Sequence, residues 1–292
     1  MSILDLFLKQ FSRFFSVYYN FRYKRNRAFE QSILKSSSSQ SSSSTSDTSE
    51  FREINSLYSS SDIMFNKFRR SFHYSKILEH VDYETGLLYI KQIILLNPDY
   101  YLINRFKFAL RNEKGKPNKF LFRTFGWSSP STIRYIKIYL EIKRIFDGVK
   151  LKRIVEIGGG YGGQARIFSL AEGFQEYVIV DLPEVIELQK KYLSPVPNIK
   201  FISAFESNND KSNFIEYDLL ISNFAFSELD KRTQDLYLEK YIRRSAHGYM
   251  IWNNINPPGF SYNLKEVLDL IPNSDIKNEI PLTDKDNFLI FW

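Results

Sequence analysis

The stretch Val155-Glu156-Ile157-Gly158-Gly159-Gly160-Tyr161-Gly162-Gly163-Gln164-Ala165, followed by Tyr177-Val178-Ile179-Val180-Asp181, decides how this chain is read. A β-branched run (152–157) enters a cluster of glycines. The glycines give way to residues suited to a helix over 162–173, and a second β-branched run (177–180) ends at an acid. Glycine is needed where the chain turns tightly and a ligand must lie against bare backbone. The N-terminus of the helix that follows offers free N–H groups and a partial positive charge. Asp181 stands 23 residues after Gly158, where an acid can bond ribose hydroxyls. The segment is therefore a nucleoside-binding strand–loop–helix–strand–acid unit.

The glycines alone admit two readings. Gly158, Gly160 and Gly163 fit G-x-G-x-x-G, a dinucleotide fingerprint. Glu156, Gly158, Gly160 and Gly162 fit E-h-G-x-G-x-G, the loop of S-adenosylmethionine-dependent methyltransferases. Glu156 favours the second. A carboxylate repels a pyrophosphate but suits a cofactor that carries an ammonium and a sulfonium. The 111 residues after Asp181 are expected to complete one sheet without a downstream substrate domain. An NAD(P)-binding enzyme and a non-catalytic, methyltransferase-like binding module are the alternatives.

Working downstream, further strands are expected at 198–203, 218–222 and 249–252, with helices at 183–193, 230–244 and 261–271. Alternation of strand and helix implies a parallel sheet covered on both faces. Two last strands, near 276–280 and 287–292, are joined by too few residues for a crossover, so they should pair antiparallel. The fold class is α/β: a Rossmann-like, seven-stranded, mostly parallel sheet with a C-terminal antiparallel hairpin, preceded by a helical N-terminal region. Ligands bind beyond the carboxyl ends of such strands. Ala204 and Phe205 should therefore border an adenine, with Phe205 able to stack on it or to pack in the core. Asn223 should face the methyl-transfer zone.

Working upstream, four segments are expected: a basic amphipathic helix (1–35), a Ser-rich disordered linker (36–50), a helical cap or substrate region (51–147), and the catalytic domain (148–292). In the first helix Leu4, Leu8, Phe11, Phe15 and Tyr18 recur at helical spacing, with Phe7 and Phe14 widening the stripe and Arg22, Lys24, Arg25 and Arg27 following. Residues 1–30 either lie on an anionic membrane or dock on protein. In the cap region one helix is expected around Ile63–Phe72, a second around Leu87–Ile94, a third over 99–112 and a fourth over 128–146.

The composition narrows the classes. There are no cysteines, so disulfides, cysteine zinc sites and cysteine nucleophiles are excluded. Three histidines, His73, His80 and His247, are too scattered for a metal site, and no metal is expected. Net charge is +7. Outside the N-terminal arm there is no dense basic run, so nucleic acid is not an expected partner. No apolar run approaches the roughly 20 residues that span a bilayer. Lys9 and Arg13 interrupt the first apolar stretch, which argues against a secretory signal. The expected location is cytoplasmic, with the inner face of the membrane as an alternative.

Four stretches resemble the sugar O-methyltransferase family of bacterial polysaccharide gene clusters. They are SPSTIRYIK (129–137); VEIGGGYGGQARI (155–167) with VDLPEVIELQKKYL (180–193); LLISNFAFSELDKRTQDLYLEKYI (219–242); and NEIPLTDKDNFLIFW (278–292). The resemblance spans most of 115–292. It implies a sugar, nucleotide-sugar or glycan hydroxyl as acceptor and S-adenosyl-L-methionine as cofactor.

A sugar hydroxyl is a poor nucleophile, and a general base helps it. Glu228, in the loop after the fourth strand, is the first candidate. The alternative for Glu228 is a carboxylate that stabilises the next helix, although Asp230 suits that N-cap better. His247 is the second candidate base, at a strand end that faces away from the site. Asn253 and Asn254 follow the fifth strand and can bond sugar hydroxyls. Arg134 can bind a cofactor carboxylate or a substrate phosphate.

Overall fold

The computed structural model of the chain describes residues 3–34, 44, 48–96, 106, 110, 113–205 and 216–292. The chain divides into two compact units, residues 1–38 with 53–145, and residues 39–52 with 146–292.

The first unit is helical. Its opening helix runs Ile3–Ile33. The face turned inward carries Leu8, Ser12, Arg22 and Glu30, with Phe11, Phe15 and Tyr19 half-buried. This corrects the stripe inferred from spacing: Leu4 and Tyr18 are exposed, as are Phe7, Phe14 and Phe21. Trp127 explains the choice. It stands on a small antiparallel hairpin of β1 (Phe120–Phe122) and β2 (Gly126–Ser128), and packs edge-on to both Phe11 and Phe15. Tyr19 donates from its hydroxyl to the Lys119 carbonyl (2.7 Å), and Asn26 donates to the Arg70 carbonyl (2.6 Å).

The helix expected through Ile63–Phe72 is broken into Asp62–Phe65, a 3-10 turn Phe68–Arg70, and Phe72–Ile77. Ser61 and Ser71 cap the two helical pieces through their hydroxyls. Arg69, within the turn, is fully buried and draws together Glu79, Glu113, Ser129 and Thr132. A continuous helix would not deliver its guanidinium there. The next helix is Tyr83–Leu96, and the helix Pro130–Ile145 closes the unit. Of the helix expected over 99–112 only Phe106 and Leu110 are described, both helical and buried. A helix Ser49–Ser59 begins inside the stretch read as linker, and Ser44 makes an antiparallel bridge to Leu229. Residues 36–43 and 45–47 of that stretch lie outside the described residues.

The second unit is a seven-stranded sheet. Its strands are β3 (Arg153–Ile157), β4 (Glu176–Asp181), β5 (Ile199–Ser203), β6 (Tyr217–Asn223), β7 (Ser245–Trp252), β8 (Asp275–Asn278) and β9 (Phe288–Phe291). They lie in the order β5-β4-β3-β6-β7-β9-β8. The first five are parallel, and β9 runs antiparallel to both β7 and β8. This is the Rossmann-like sheet with a terminal antiparallel hairpin expected above. Period-2 alternation sorts the strand residues. Val155, Ile157, Val178, Val180, Leu220, Met250 and Trp252 share one core with Tyr237, Leu238, Tyr241 and Val267. Ile154, Glu156, Tyr177 and Ile179 face the other way and are also buried. Burial on both faces is what a parallel sheet requires. Helices Gly163–Ala171, Pro183–Leu193, Lys231–Tyr237 and Leu264–Leu270 cross between strands. Asp230 caps the third of these by accepting from Thr233 N–H (2.7 Å).

Candidate functional site

The carboxyl ends of β3, β4, β5 and β6 meet where the order reverses between β3 and β6. That reversal opens a crevice in any doubly wound sheet. The chain leaves β3 through Gly158 (φ 70°), Gly160 (φ 55°) and Gly162 (φ 91°), all left-handed. These are the three glycines of the E-h-G-x-G-x-G reading. Gly163 opens the following helix without left-handed backbone. A methyl group on Gly158 would sit 2.1 Å from the Ala225 Cβ, and one on Gly162 would sit 2.6 Å from Leu193 Cδ1. Conformation and space thus both demand glycine at Gly158 and Gly162.

Asp181 ends β4. Its Oδ1 accepts from the Leu182 N–H (2.8 Å) and its Oδ2 from Gln189 Nε2 (2.7 Å). The same Gln189 amide donates to the Gly160 carbonyl (2.7 Å). Gln189 is fully buried and ties the acid to the loop. It was not singled out from the sequence. Its signal was its position on the inward face of the Pro183–Leu193 helix, a face that otherwise reads as apolar.

Glu156 occupies a different place from the one inferred. It is 1% exposed and its Oε2 accepts from the Tyr177 hydroxyl (2.9 Å). That oxygen lies 3.3 Å from where a Cβ on Gly159 would stand. Burial pushes its carboxyl up to about 8, assisted by the Asp181 charge and opposed by the Tyr177 hydrogen bond. Glu156 is thus mainly neutral at pH 7 and supports the loop from beneath. Its side chain does not line the crevice as a free carboxylate.

Past β5, the Ala204 N–H continues the ladder to the Asp181 carbonyl (2.8 Å). Phe205 is exposed, so core packing is not its role, and Arg52 of the same unit lies over its ring at 5.2 Å. Past β6, both polar atoms of the Asn223 amide are shielded from water, and among the described residues neither has a hydrogen-bond partner. An unmet amide of this kind costs about 1–3 kcal/mol. Phe224 follows with a left-handed backbone (φ 71°), uncommon for a bulky residue.

The loop beyond is held firmly. Ser222 Oγ accepts from the Phe226 N–H (3.0 Å), and Ser227 Oγ donates to the Phe224 carbonyl (2.6 Å). Glu228 ends a short 3-10 turn (Phe226–Glu228) and is half-buried. Its Oε1 accepts from Asn253 Nδ2 (2.9 Å), while Asn253 Oδ1 lies 2.7 Å from Ser227 Oγ and shares that hydroxyl's proton with the Phe224 carbonyl. The structure therefore joins Glu228 and Asn253, and Asn253 acts as the orienter of the carboxylate. Asn254 is exposed and accepts from Trp252 Nε1 (2.8 Å).

Within the sheet unit one candidate, His247, is not brought to this cluster. His247 lies within β7, paired with Leu219, and packs on Phe146 (ring centres 5.0 Å apart). Asn223 pairs with Ile251, four residues further along, so His247 stands about 13 Å down the strand from that level. Its position in the strand removes it as a base. Arg134 belongs to the helical unit, where it is buried with its guanidinium 5.5 Å from the centre of the Tyr135 ring. Among the described residues no group of three or more His, Cys, Asp or Glu is placed to hold a metal ion, and no helix is long and apolar enough to cross a membrane.

No family model matches the chain, and no curated protein sequence matches it. Solved structures to which it is similar include the CMeT domain of a citrinin polyketide synthase (14% identity, 56% of this chain and 53% of that one, TM-score 0.44). Others are a SAM-dependent methyltransferase from Aquifex aeolicus (18% identity, 51% and 87%, TM-score 0.37) and human N-acetylserotonin methyltransferase in complex with SAM (16% identity, 55% and 55%, TM-score 0.37).

Proposed function

We propose that the chain is an S-adenosylmethionine-dependent O-methyltransferase whose acceptor is a sugar hydroxyl of a glycan or glycan precursor. The observation that carries the cofactor reading is the left-handed backbone at Gly158, Gly160 and Gly162, tied through Gln189 to Asp181. The residues present fit the cofactor. Bare backbone at Gly158–Gly162 accommodates the nucleoside, Asp181 suits the ribose hydroxyls, and the Asn223 amide offers an unmet donor and acceptor. Phe205 offers a ring for adenine. The acceptor class is supported by the resemblance of the four stretches quoted above.

When bound between the glycine loop, Asp181 and Asn223, S-adenosylmethionine would supply an electrophilic methyl group for the acceptor oxygen. Glu228 takes the acceptor proton, and Asn253 aims the carboxylate for that task. The fixed loop Phe224–Leu229 positions the pair, so little reorganisation is needed at the moment of transfer.

Calorimetry with S-adenosylmethionine tests the reading. Binding is expected, with at least a tenfold loss in Asp181→Ala, which is about 1.4 kcal/mol. Glu228→Gln should keep cofactor affinity and lose on the order of 10²–10⁴ in turnover of a sugar acceptor. Absence of binding at millimolar cofactor would sink the reading in favour of a binding module without catalysis.

A further inference from the structure

The helical unit carries a cavity of about 110 Å³ that the methyl-transfer reading does not use. Arg22, Arg25 and Asn26 reach it from one face of the first helix, at spacings of three and four residues. Lys67 and Arg70 reach it from the two ends of the 3-10 turn region, and Tyr58 closes one wall. Four cationic side chains thus surround a space of a few atoms.

Among the described residues none of the four forms an ion pair with a carboxylate. Glu30, two turns along the same helix, is occupied elsewhere. It accepts from Tyr58 (2.8 Å), Ser71 (3.1 Å), Phe72 N–H (3.0 Å) and His73 Nδ1 (2.7 Å). Arg70 spends Nε on the Lys116 carbonyl (2.6 Å), and its two Nη groups meet no acceptor among the described residues. Lys67 lies over the Phe29 ring at 5.3 Å. Arg22 is only 8% exposed, donates to Asn118 and stacks on Tyr19 (4.9 Å).

Holding guanidinium groups together in a partly dry site is costly unless an anion is shared between them. Burial first, and the Arg70 charge second, lower the pKa of Arg22. A multiply charged tetrahedral anion relieves that cost best, because planar guanidinium forks match phosphate oxygens.

We propose that Arg22, Arg25, Lys67 and Arg70 form a phosphate-binding site in the helical unit. The phosphate is either that of a free or sugar-borne ester or the headgroup of an anionic lipid. The site is built from residues of the helical unit and the crevice at Gly158–Asp181 from residues of the sheet unit, so its failure would leave the methyl-transfer reading intact.

The experiment uses the full chain, inorganic phosphate, and potassium chloride at matched ionic strength. Phosphate should give saturable heat by calorimetry and raise the melting temperature, and chloride should not. Arg25→Gln/Lys67→Gln changes one exposed and one half-buried side chain, so the fold should survive. It should weaken phosphate binding at least tenfold and abolish the thermal shift, with an unchanged circular dichroism spectrum. Arg70→Gln alone should have the same direction. Vesicles of phosphatidic acid in phosphatidylcholine separate the two sources. Co-sedimentation that needs phosphatidate, is lost in the double variant and is reversed by free phosphate marks the lipid headgroup. Phosphate binding without co-sedimentation marks a soluble ester. Equal response to phosphate and chloride, or unaltered binding in both variants, would overturn the proposal.

Discussion

At Glu156 the protein buries a carboxyl beside the loop it supports, and the cost depends on pH. The folded state holds this proton up to about pH 8. The unfolded chain releases it near the ordinary glutamate value of about 4.3. Between those values the folded state binds more protons than the unfolded, so stability falls as pH rises through that window. It is full below about pH 4.3 and is lost by pH 8. Glu156→Gln keeps the shape and a hydrogen bond to Tyr177 and has no proton to lose. Its melting temperature relative to the parent should therefore climb between pH 5 and pH 8. Thermal scans at those two values check it, and a constant difference would mean that the carboxyl is not buried as described. Gly158→Ala is the complementary case. The added methyl overlaps Ala225 and demands left-handed backbone, so cofactor binding and stability should fall together.

At the scale of the element, the first helix separates two properties that its sequence merges. Aromatic residues occur on nearly every side of it, and spacing alone does not say which side docks. Trp127, Tyr19 and Glu30 decide that. The opposite side leaves Phe14 and Phe21 exposed at 68% and 72%. Glu30 is the anchor of the docked side. Burial pushes its pKa up, but hydrogen bonds from His73, Tyr58, Phe72 N–H and Ser71 outweigh this and leave it below the usual value. Its stabilisation is therefore present above the unfolded value and is lost as pH falls through the lower folded one. Glu30→Gln should cost about 1.5–3 kcal/mol in chemical denaturation at pH 7, the worth of a charged hydrogen bond. The gap between parent and variant should narrow steadily as pH falls below the ordinary glutamate value. A gap that does not change with pH would assign the loss to packing.

At the scale of the molecule, each unit is organised by one arrangement that no local pattern contains. In the helical unit it is Arg69, whose guanidinium joins segments from Glu79 to Thr132. Arg69→Ala leaves Glu79 buried without its cation and Glu113 with Lys119 alone, and should destabilise by about 3–5 kcal/mol, read by urea denaturation of the full chain. In the sheet unit it is the strand order, which places the loops after β3 and β6 side by side.

Much of this was legible in the residues. Period-2 runs, the glycine spacing and the acid at 181 are local signals, governed by backbone sterics and strand alternation. They determined the sheet, its antiparallel end, the loop and the helix boundaries at Pro183–Leu193. Tertiary structure decided the rest. Gln189, the pairing of Glu228 with Asn253, the neutral Glu156, the displacement of His247 and the docked side of the first helix all depend on distances between residues far apart in the chain. Burial and long-range charge set those outcomes, and neither is carried by any short stretch of sequence.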